Sequence, residues 1–298
     1  MMKVALIVAI AIYYPSSAYS QPSKEFGFTL GSGLGYCLNS DCTVAHGRVL
    51  SVREDESRIT LEIDGVLIGP APESPRVELT SDMLFSPSNL YGVTQPKERK
   101  YQPGDRIAWG VGTKNETFVR EGVAVFFTRD LKRIEDLRTT IQLLSGTNLN
   151  AAVLSGMALL REPNREVLAG CLMTIALYGK LGKPEFELEI LTTLLVNPNV
   201  PKNAVVQIGL WIGSRYFLVP EPAKGAALSR IVAALDLGDQ AVPGVASALN
   251  GILREAPGVG LEIPPSAITK LRKYYSDGHG APKGNKELEG FLFGEAPK

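Results

Sequence analysis

Residues 164–212, NREVLAGCLMTIALYGKLGKPEFELEILTTLLVNPNVPKNAVVQIGLWI, decide the fold predicted for the second half of the chain. Apolar residues recur in this stretch every three or four positions, the spacing that places side chains on one side of an α-helix. The pattern is interrupted at Gly182-Lys183-Pro184 and again at 197–201 (NPNVP), where glycine, asparagine and proline end one helix and begin the next. The stretch therefore predicts three consecutive helices joined by short turns.

The same pattern extends in both directions, from residue 129 to residue 277. A pair of helices recurs at intervals of 34–43 residues, which is typical of an α-solenoid because stacked pairs bury apolar faces that one pair leaves exposed. The pairs resemble HEAT-type or armadillo-type repeats, which implies an extended surface for binding proteins or peptides. An irregular helical bundle is the alternative. The helices are predicted to begin near Asp130, Asn148, Asn164, Pro184, Pro201, Glu221, Gln240 and Pro264.

Between Thr43 and Thr128 the periodicity changes to two. Apolar residues alternate with polar ones at 58–64 (RITLEID), and they do so again at 107–111 (IAWGV), after a turn at 102–105. Such alternation predicts half-buried β-strands joined by turns. Five strands of this kind in about 90 residues predict a small OB-like β-barrel. Because residues 123–127 are apolar on both faces, the last strand is expected to pack against the helices.

The first half contains, in order, Cys37 and Cys42, the strand at 45–52 (AHGRVLSV), the Leu67-Ile68-Gly69 step, Val77-Glu78-Leu79 and the segment 101–106 (YQPGDR). In this order of residues it resembles netrin-like modules. Netrin-like modules are OB-fold domains common in exported proteins, and they include the tissue inhibitors of metalloproteinases. In those inhibitors a cysteine at the mature N-terminus engages the protease zinc. Cys37 lies 16 residues after the predicted cleavage position, so the resemblance implies the fold and the compartment but not the inhibition.

The first 20 residues have the features of a secretory signal peptide. Lys3 precedes the apolar run 4–12, and Ala18-Tyr19-Ser20 supplies small residues for cleavage before Gln21. The run is too short to cross a membrane, and no later stretch is long and apolar enough. The mature protein is therefore predicted to be exported, periplasmic or extracellular, without a stable membrane anchor.

Cys37 and Cys42 lie five residues apart in a segment rich in glycine, asparagine and serine. In an oxidising compartment this spacing predicts a disulfide that closes a small loop. A metal site is the alternative, but only His46 lies close enough to add a ligand. Cys171 has helical spacing with apolar neighbours and is predicted to be a buried thiol.

The predicted fold class is an α+β multidomain protein, a small five-stranded OB-like β-barrel followed by an α-solenoid of about four helix pairs. The organisation expected along the chain is a signal peptide at 1–20, a leader with the disulfide loop at 21–42, the OB-like β domain at 43–128, the helical-repeat domain at 129–277 and a flexible tail at 278–298.

Composition and motifs argue against several classes of function. The chain has 31 basic and 31 acidic residues, so it lacks the excess positive charge with which proteins bind nucleic acids. It has two histidines, His46 and His279, too few for a histidine metal cluster, and it lacks the Gly-x-Ser-x-Gly, His-Glu-x-x-His and P-loop motifs. No metal, cofactor or catalytic residue is predicted, and the sequence favours a protein that is not an enzyme.

The favoured function is an exported binding or scaffold protein that recognises a protein or peptide with its helical-repeat surface. The alternative is a secreted hydrolase or hydrolase inhibitor acting through the β domain. The irregular segment Thr80–Gln102 is either a lid on the barrel or part of a binding site. The candidate binding residues are the aromatic side chains of Phe85, Tyr91, Tyr216, Phe217, Tyr274 and Tyr275.

Overall fold

The computed structural model describes residues 22–39, 42–53, 58–69, 74–80, 101–112, 124–128, 131–146, 148–178, 181–255, 263–278 and 286–294. These ranges contain a helix, five strands and then nine further helices. The N-terminal elements are α1 (Pro22–Asn39), β1 (Cys42–Val52), β2 (Arg58–Ile68), β3 (Arg76–Thr80), β4 (Arg106–Gly112) and β5 (Ala124–Thr128). The helices that follow are α2 (Leu131–Leu144), α3 (Leu149–Leu159), α4 (Glu166–Tyr178), α5 (Pro184–Leu195), α6 (Lys202–Tyr216), α7 (Glu221–Leu237), α8 (Val242–Glu255), α9 (Pro265–Ser276) and α10 (Lys286–Phe293), with a single 3-10 turn at Asp239–Ala241.

The strands form one antiparallel sheet in the order β3-β2-β1-β4-β5. Within the described ranges the outer strands β3 and β5 each pair with one neighbour, so the sheet is open. One of its faces carries a small apolar cluster around Trp109, Leu61 and Ile107. On the other face, Val44 and Ala108 belong to the same core as the helices.

The predicted fold class, an OB-like barrel followed by a separate α-solenoid, is therefore wrong. Alternation with period two is the same in an open sheet and in a closed barrel, because closure depends on whether the edge strands meet. Here α1 and α2 cover the sheet face that carries Val44 and Ala108. The sheet and the helices consequently share one continuous core instead of forming two independent domains.

Helix α1 fills the position between the sheet and α4. Gly27, Gly31 and Gly35 follow one another at one-turn spacing on the side of α1 that faces α2 and α4. A Cβ atom on Gly31 would lie 1.9 Å from the carbonyl oxygen of Val167, and one on Gly170 would lie 2.0 Å from that of Phe28. The two helix backbones are thus in direct contact, and the segment predicted as a leader is a buried helix.

Helices α2–α9 begin within two residues of the starts predicted from the apolar stripes. Consecutive helices pack together, α4 against α5 and α5 against α6, and helices two apart do so as well, since α6 packs on α8 and α5 on α7. The contact between α6 and α8 is as close as that of α1 with α4. A Cβ atom on Gly209 would lie 2.1 Å from the carbonyl oxygen of Gly244.

The turns at one end of successive helix pairs are tied together by hydrogen bonds. The side-chain amide nitrogen of Asn199 donates to the carbonyl oxygens of Leu160 and Glu162, each at 2.9 Å. The Asn199 side-chain oxygen accepts from the backbone N–H of Arg165 at 3.0 Å. On the other side, Gln240 donates to the carbonyl oxygen of Asn197 at 2.7 Å. Three consecutive turns are therefore fixed relative to one another.

The last described helix, α10, lies in the segment predicted as a flexible tail. Its Leu288 and Leu292 are buried against the helical core, and the Arg272 side chain donates a hydrogen bond to the carbonyl oxygen of Leu292. No helix in the described part of the chain combines the length and the hydropathy needed to span a membrane.

Candidate functional site

Two of the predicted binding residues, Phe85 and Tyr91, lie outside the described residues. Tyr216 is buried and Phe217 half-buried at the end of α6, with ring centroids 5.6 Å apart. Tyr274 and Tyr275 are half-buried at the end of α9, with ring centroids 5.4 Å apart, and burial raises the pKa of Tyr275 to about 12. These four rings contribute to the helical core.

The three cysteines lie on the elements around α1. Cys37 is buried in the last turn of α1, Cys42 is the first residue of β1, and Cys171 is buried in α4. No disulfide occurs among the residues that the structure describes, and the pairing of Cys37 with Cys42 stays a prediction. Burial raises the pKa of the Cys171 thiol well above its usual range, so this side chain is a poor nucleophile at neutral pH.

His46 is the described histidine, and its ring lies over the backbone of Gly65 in the neighbouring strand. A Cβ atom on Gly65 would lie 2.8 Å from His46 Nε2. Burial lowers the pKa of His46, and the nearby charge of Arg138 lowers it further, while Asp64 acts in the opposite direction. The imidazole is therefore neutral at pH 7. Across the residues with known placement, no group of three or more His, Cys, Asp or Glu side chains could hold a metal ion.

A buried cluster of charges joins α1, α2 and α4. The Arg133 guanidinium pairs with Asp136 at 3.0 Å and with Glu166 at 3.1 Å, and both Arg133 and Glu166 are less than 5% exposed. A Cβ atom on Gly27 would lie 2.7 Å from the guanidinium carbon, so the glycine in α1 makes room for Arg133. The charges of the cluster pair with one another, so its role is to stabilise the packing of these helices.

An exposed surface without charge lies on α3, which packs against α2 and α4. The sequence of α3, LNAAVLSGMAL, contains no ionisable residue. Nevertheless Ala151, Leu154, Ser155 and Ala158 are exposed, with Leu154 at 56%. Solvated faces of helices normally carry charged side chains, so this face of α3 has the composition of a contact surface.

Helix α7, the second helix of a later pair, also exposes small and apolar residues. These include Ala226, Ser229, Ala233 and Leu237, the last at 73%, and the charged residues Glu221, Arg230 and Asp236 are exposed on the same helix. Between α3 and α7 in the chain lies α5, which is linked to α7 by the ion pair of Glu189 with Arg230 at 3.3 Å. The exposed side chains of α3, α5 and α7 are called the outer helix face below.

The four described aromatic candidates, Tyr216, Phe217, Tyr274 and Tyr275, lie on or beside α6 and α9 and do not belong to this face. Its signal in the sequence was the absence of charged residues at 149–159. Helical periodicity alone does not indicate which uncharged positions face solvent, because buried and exposed alanines look the same in a sequence.

No protein-family model, no curated protein and no solved structure matches this chain. The resemblances to netrin-like modules and to HEAT-type or armadillo-type repeats therefore stay predictions. Inference about function rests on the residues described above.

Proposed function

We propose that this chain is an exported, non-enzymatic binding or scaffold protein that recognises a protein or peptide through the outer helix face. The observation that carries the proposal is the exposed side of α3, where Ala151, Leu154, Ser155 and Ala158 meet solvent on a helix that has no charged residue. Depletion of charge is the compositional mark of the central part of protein interfaces.

The geometry of this face suits a flat or helical partner. Small side chains such as Ala151, Ser155 and Ala158 allow the backbone of a partner to approach closely, and Leu154 supplies apolar area to bury. The hydrogen-bonded turns around Asn199 hold successive helix pairs in fixed positions. A preformed surface loses little conformational entropy on binding, which favours affinity.

Export rests on the features of residues 1–20, the apolar run 4–12 after Lys3 and the small residues at Ala18 and Ser20. The alternative function, a secreted hydrolase or hydrolase inhibitor, stays a prediction, since most of the segment 80–102 on which it depends lies outside the described residues.

The proposal is tested by site-specific photo-crosslinking in the secreted or periplasmic fraction of the source cells. A benzoylphenylalanine placed at Ala158 on α3 or at Ala233 on α7 is expected to attach to the same partner protein. The matched control is the same group at Leu131, which is 61% exposed on α2. Adding Leu154→Asp should abolish the adduct formed at Ala158, because a buried unpaired carboxylate opposes association.

Two results would count against the proposal. One is the absence of any adduct from both outer positions under conditions in which the variant is folded. The other is an identical set of adducts from Ala158 and Leu131, which would show non-specific contact. N-terminal sequencing of the exported chain tests the compartment separately, with Gln21 expected as the first residue.

A further inference from the structure

Helix α10 packs on α8 and α9, away from the helices that form the outer helix face. Its Leu288 and Leu292, one turn apart, are fully buried in the common core, while Phe293 is 51% exposed. The Arg272 side chain of α9 donates a hydrogen bond to the carbonyl oxygen of Leu292. A small amphipathic helix therefore rests with one side on α8 and α9 and has its other side in solvent.

The attachment of α10 to the rest of the fold depends on few groups. Leu288 and Leu292 are buried among its described side chains, whereas α8 buries Leu249, Ile252, Leu253 and several smaller residues. A helix of eight residues is too short to be stable by itself in water. Elements with few buried apolar contacts open first, while the remainder of the protein stays folded. Release of α10 is therefore expected to need much less free energy than unfolding of α8 and α9.

We propose that α10 is a detachable strap over a docking site for a short helix with two leucines one turn apart. This docking site, called the α8–α9 seat, is the surface of α8 and α9 that α10 covers, with Arg272 at one end of it. The seat is filled by α10 in the structure, so the chemistry of its ligand is given by α10 itself. Release of α10 opens the seat to a second helix of the same pattern.

The α8–α9 seat recognises two features of a helix. Its apolar part takes the two leucines, which contribute to affinity because burial removes their side chains from water. Arg272 bonds a carbonyl oxygen of the last turn, a group that a helix leaves without an intrahelical partner. The seat therefore selects a helix by its apolar side, as grooves for amphipathic helices do, and also by the position of its C-terminal end.

Occupancy by α10 limits the binding of any other helix. A ligand helix binds only the fraction of molecules in which the strap is released, and its apparent affinity is lowered by that fraction. Because residues 277–285 join α10 to α9, the strap rebinds at the high effective concentration of a tethered ligand. Substitutions that weaken the attachment of α10 should therefore uncover binding of a free helix.

The purified protein with both Leu288→Asp and Leu292→Asp tests the strap and the seat together. We expect this double variant to melt cooperatively and to bind a fluorescent peptide of residues 284–296 (GNKELEGFLFGEA). The wild type should bind the peptide at least about tenfold more weakly in fluorescence anisotropy, because its seat is occupied. The matched control Phe293→Asp changes an exposed side chain of the same helix and should behave as the wild type does. A peptide with both leucines replaced by aspartate should not bind.

Hydrogen exchange of the wild type tests the release of α10 without any substitution. The amide protons of α10 should be at least about tenfold less protected than those of α8. Equal protection of the two helices would overturn the proposal. So would a double variant that fails to melt cooperatively, because α10 would then be an integral part of the core. A folded double variant that binds the peptide no better than the wild type would show that the seat does not exist.

Discussion

The side-chain amide of Asn199 donates a hydrogen bond to the carbonyl oxygen of Leu160, which lies 39 residues earlier in the chain. Asn199 is 1% exposed and also bonds Glu162 and Arg165. It therefore satisfies backbone groups at the end of α3 and at the start of α4, which helices leave without intrahelical partners. A residue that sequence patterns assign to a turn is here the link between two helix pairs.

Replacing Asn199 by alanine should lower the free energy of unfolding by about 1–3 kcal/mol, because the part-buried carbonyl of Glu162 and N–H of Arg165 would lose their partner, while the carbonyl of Leu160 keeps its bond from Asn197. Urea denaturation followed by circular dichroism measures the change. Asn203→Ala, at an exposed position on α6, is the control and should change stability by less than about 0.5 kcal/mol. Equal effects of the two substitutions would contradict the role given to Asn199.

The contact between α1 and α4 leads to a pair of opposite predictions for glycine. Gly31→Ala should destabilise the protein by more than about 3 kcal/mol, since the new methyl group would overlap the backbone at Val167. Gly225→Ala on α7 should stabilise it by about 0.5–1 kcal/mol, because a Cβ atom there meets no other atom within 4 Å and alanine favours the helix. Thermal melting of both variants provides the comparison, and a stabilising effect at Gly31 would disprove the close contact.

The buried cluster around Arg133 predicts a large difference between two arginines of α2. Arg133→Ala should cost about 3–5 kcal/mol, because it leaves the buried carboxylate of Glu166 and the half-buried one of Asp136 without their shared cation. Arg138→Ala removes an exposed pair with Glu135 and should cost less than about 1 kcal/mol. Chemical denaturation at neutral pH measures the free energy of unfolding of both variants. A similarly small decrease for both would show that the buried cluster contributes little to stability.

Glu187 predicts a dependence of stability on pH. Burial raises the pKa of this carboxyl, although Arg215 and the N–H groups of Leu181 and Gly182 act in the opposite direction. A carboxyl whose pKa is raised by folding stabilises the folded state most below its unfolded pKa, and that contribution is lost as the pH rises through the folded value. The stability of Glu187→Gln relative to wild type should therefore increase as the pH rises from about 4 to about 7. Denaturation curves across this range measure the difference, and a constant difference would contradict the prediction.

The helices after residue 130 could be placed from the sequence because each buries one stripe, and a stripe is a local property of the chain. The open edge of the sheet could not be predicted from the sequence. Whether β3 and β5 meet depends on what covers the face that carries Val44 and Ala108. Helix α1 was missed for a related reason. Its glycines lower helix propensity. Their role, which is to let the backbones of α1 and α4 come into contact, depends on the tertiary structure.

The candidate site shows the same division between local and non-local information. Aromatic residues such as Tyr216 and Tyr275 were predicted to lie on the exposed binding surface, but packing between helices decides whether such a ring faces inward. The lack of charged residues in α3 is visible in the sequence. Which of these uncharged residues are exposed could not be predicted, because that depends on which side of α3 faces α2 and α4.

Because α1 lies in the common core, two N-terminal truncations are expected to differ in whether they fold. A chain from residue 21 to 298 should fold and melt cooperatively, since it lacks only the predicted signal peptide. A chain from residue 41 to 298 should fail to fold cooperatively, because it loses Phe28, Leu30 and Leu34, each at most 2% exposed within the common core. Far-ultraviolet circular dichroism and differential scanning calorimetry distinguish the two. Cooperative melting of the shorter chain at a similar temperature would mean that α1 is an accessory to the fold and not its centre.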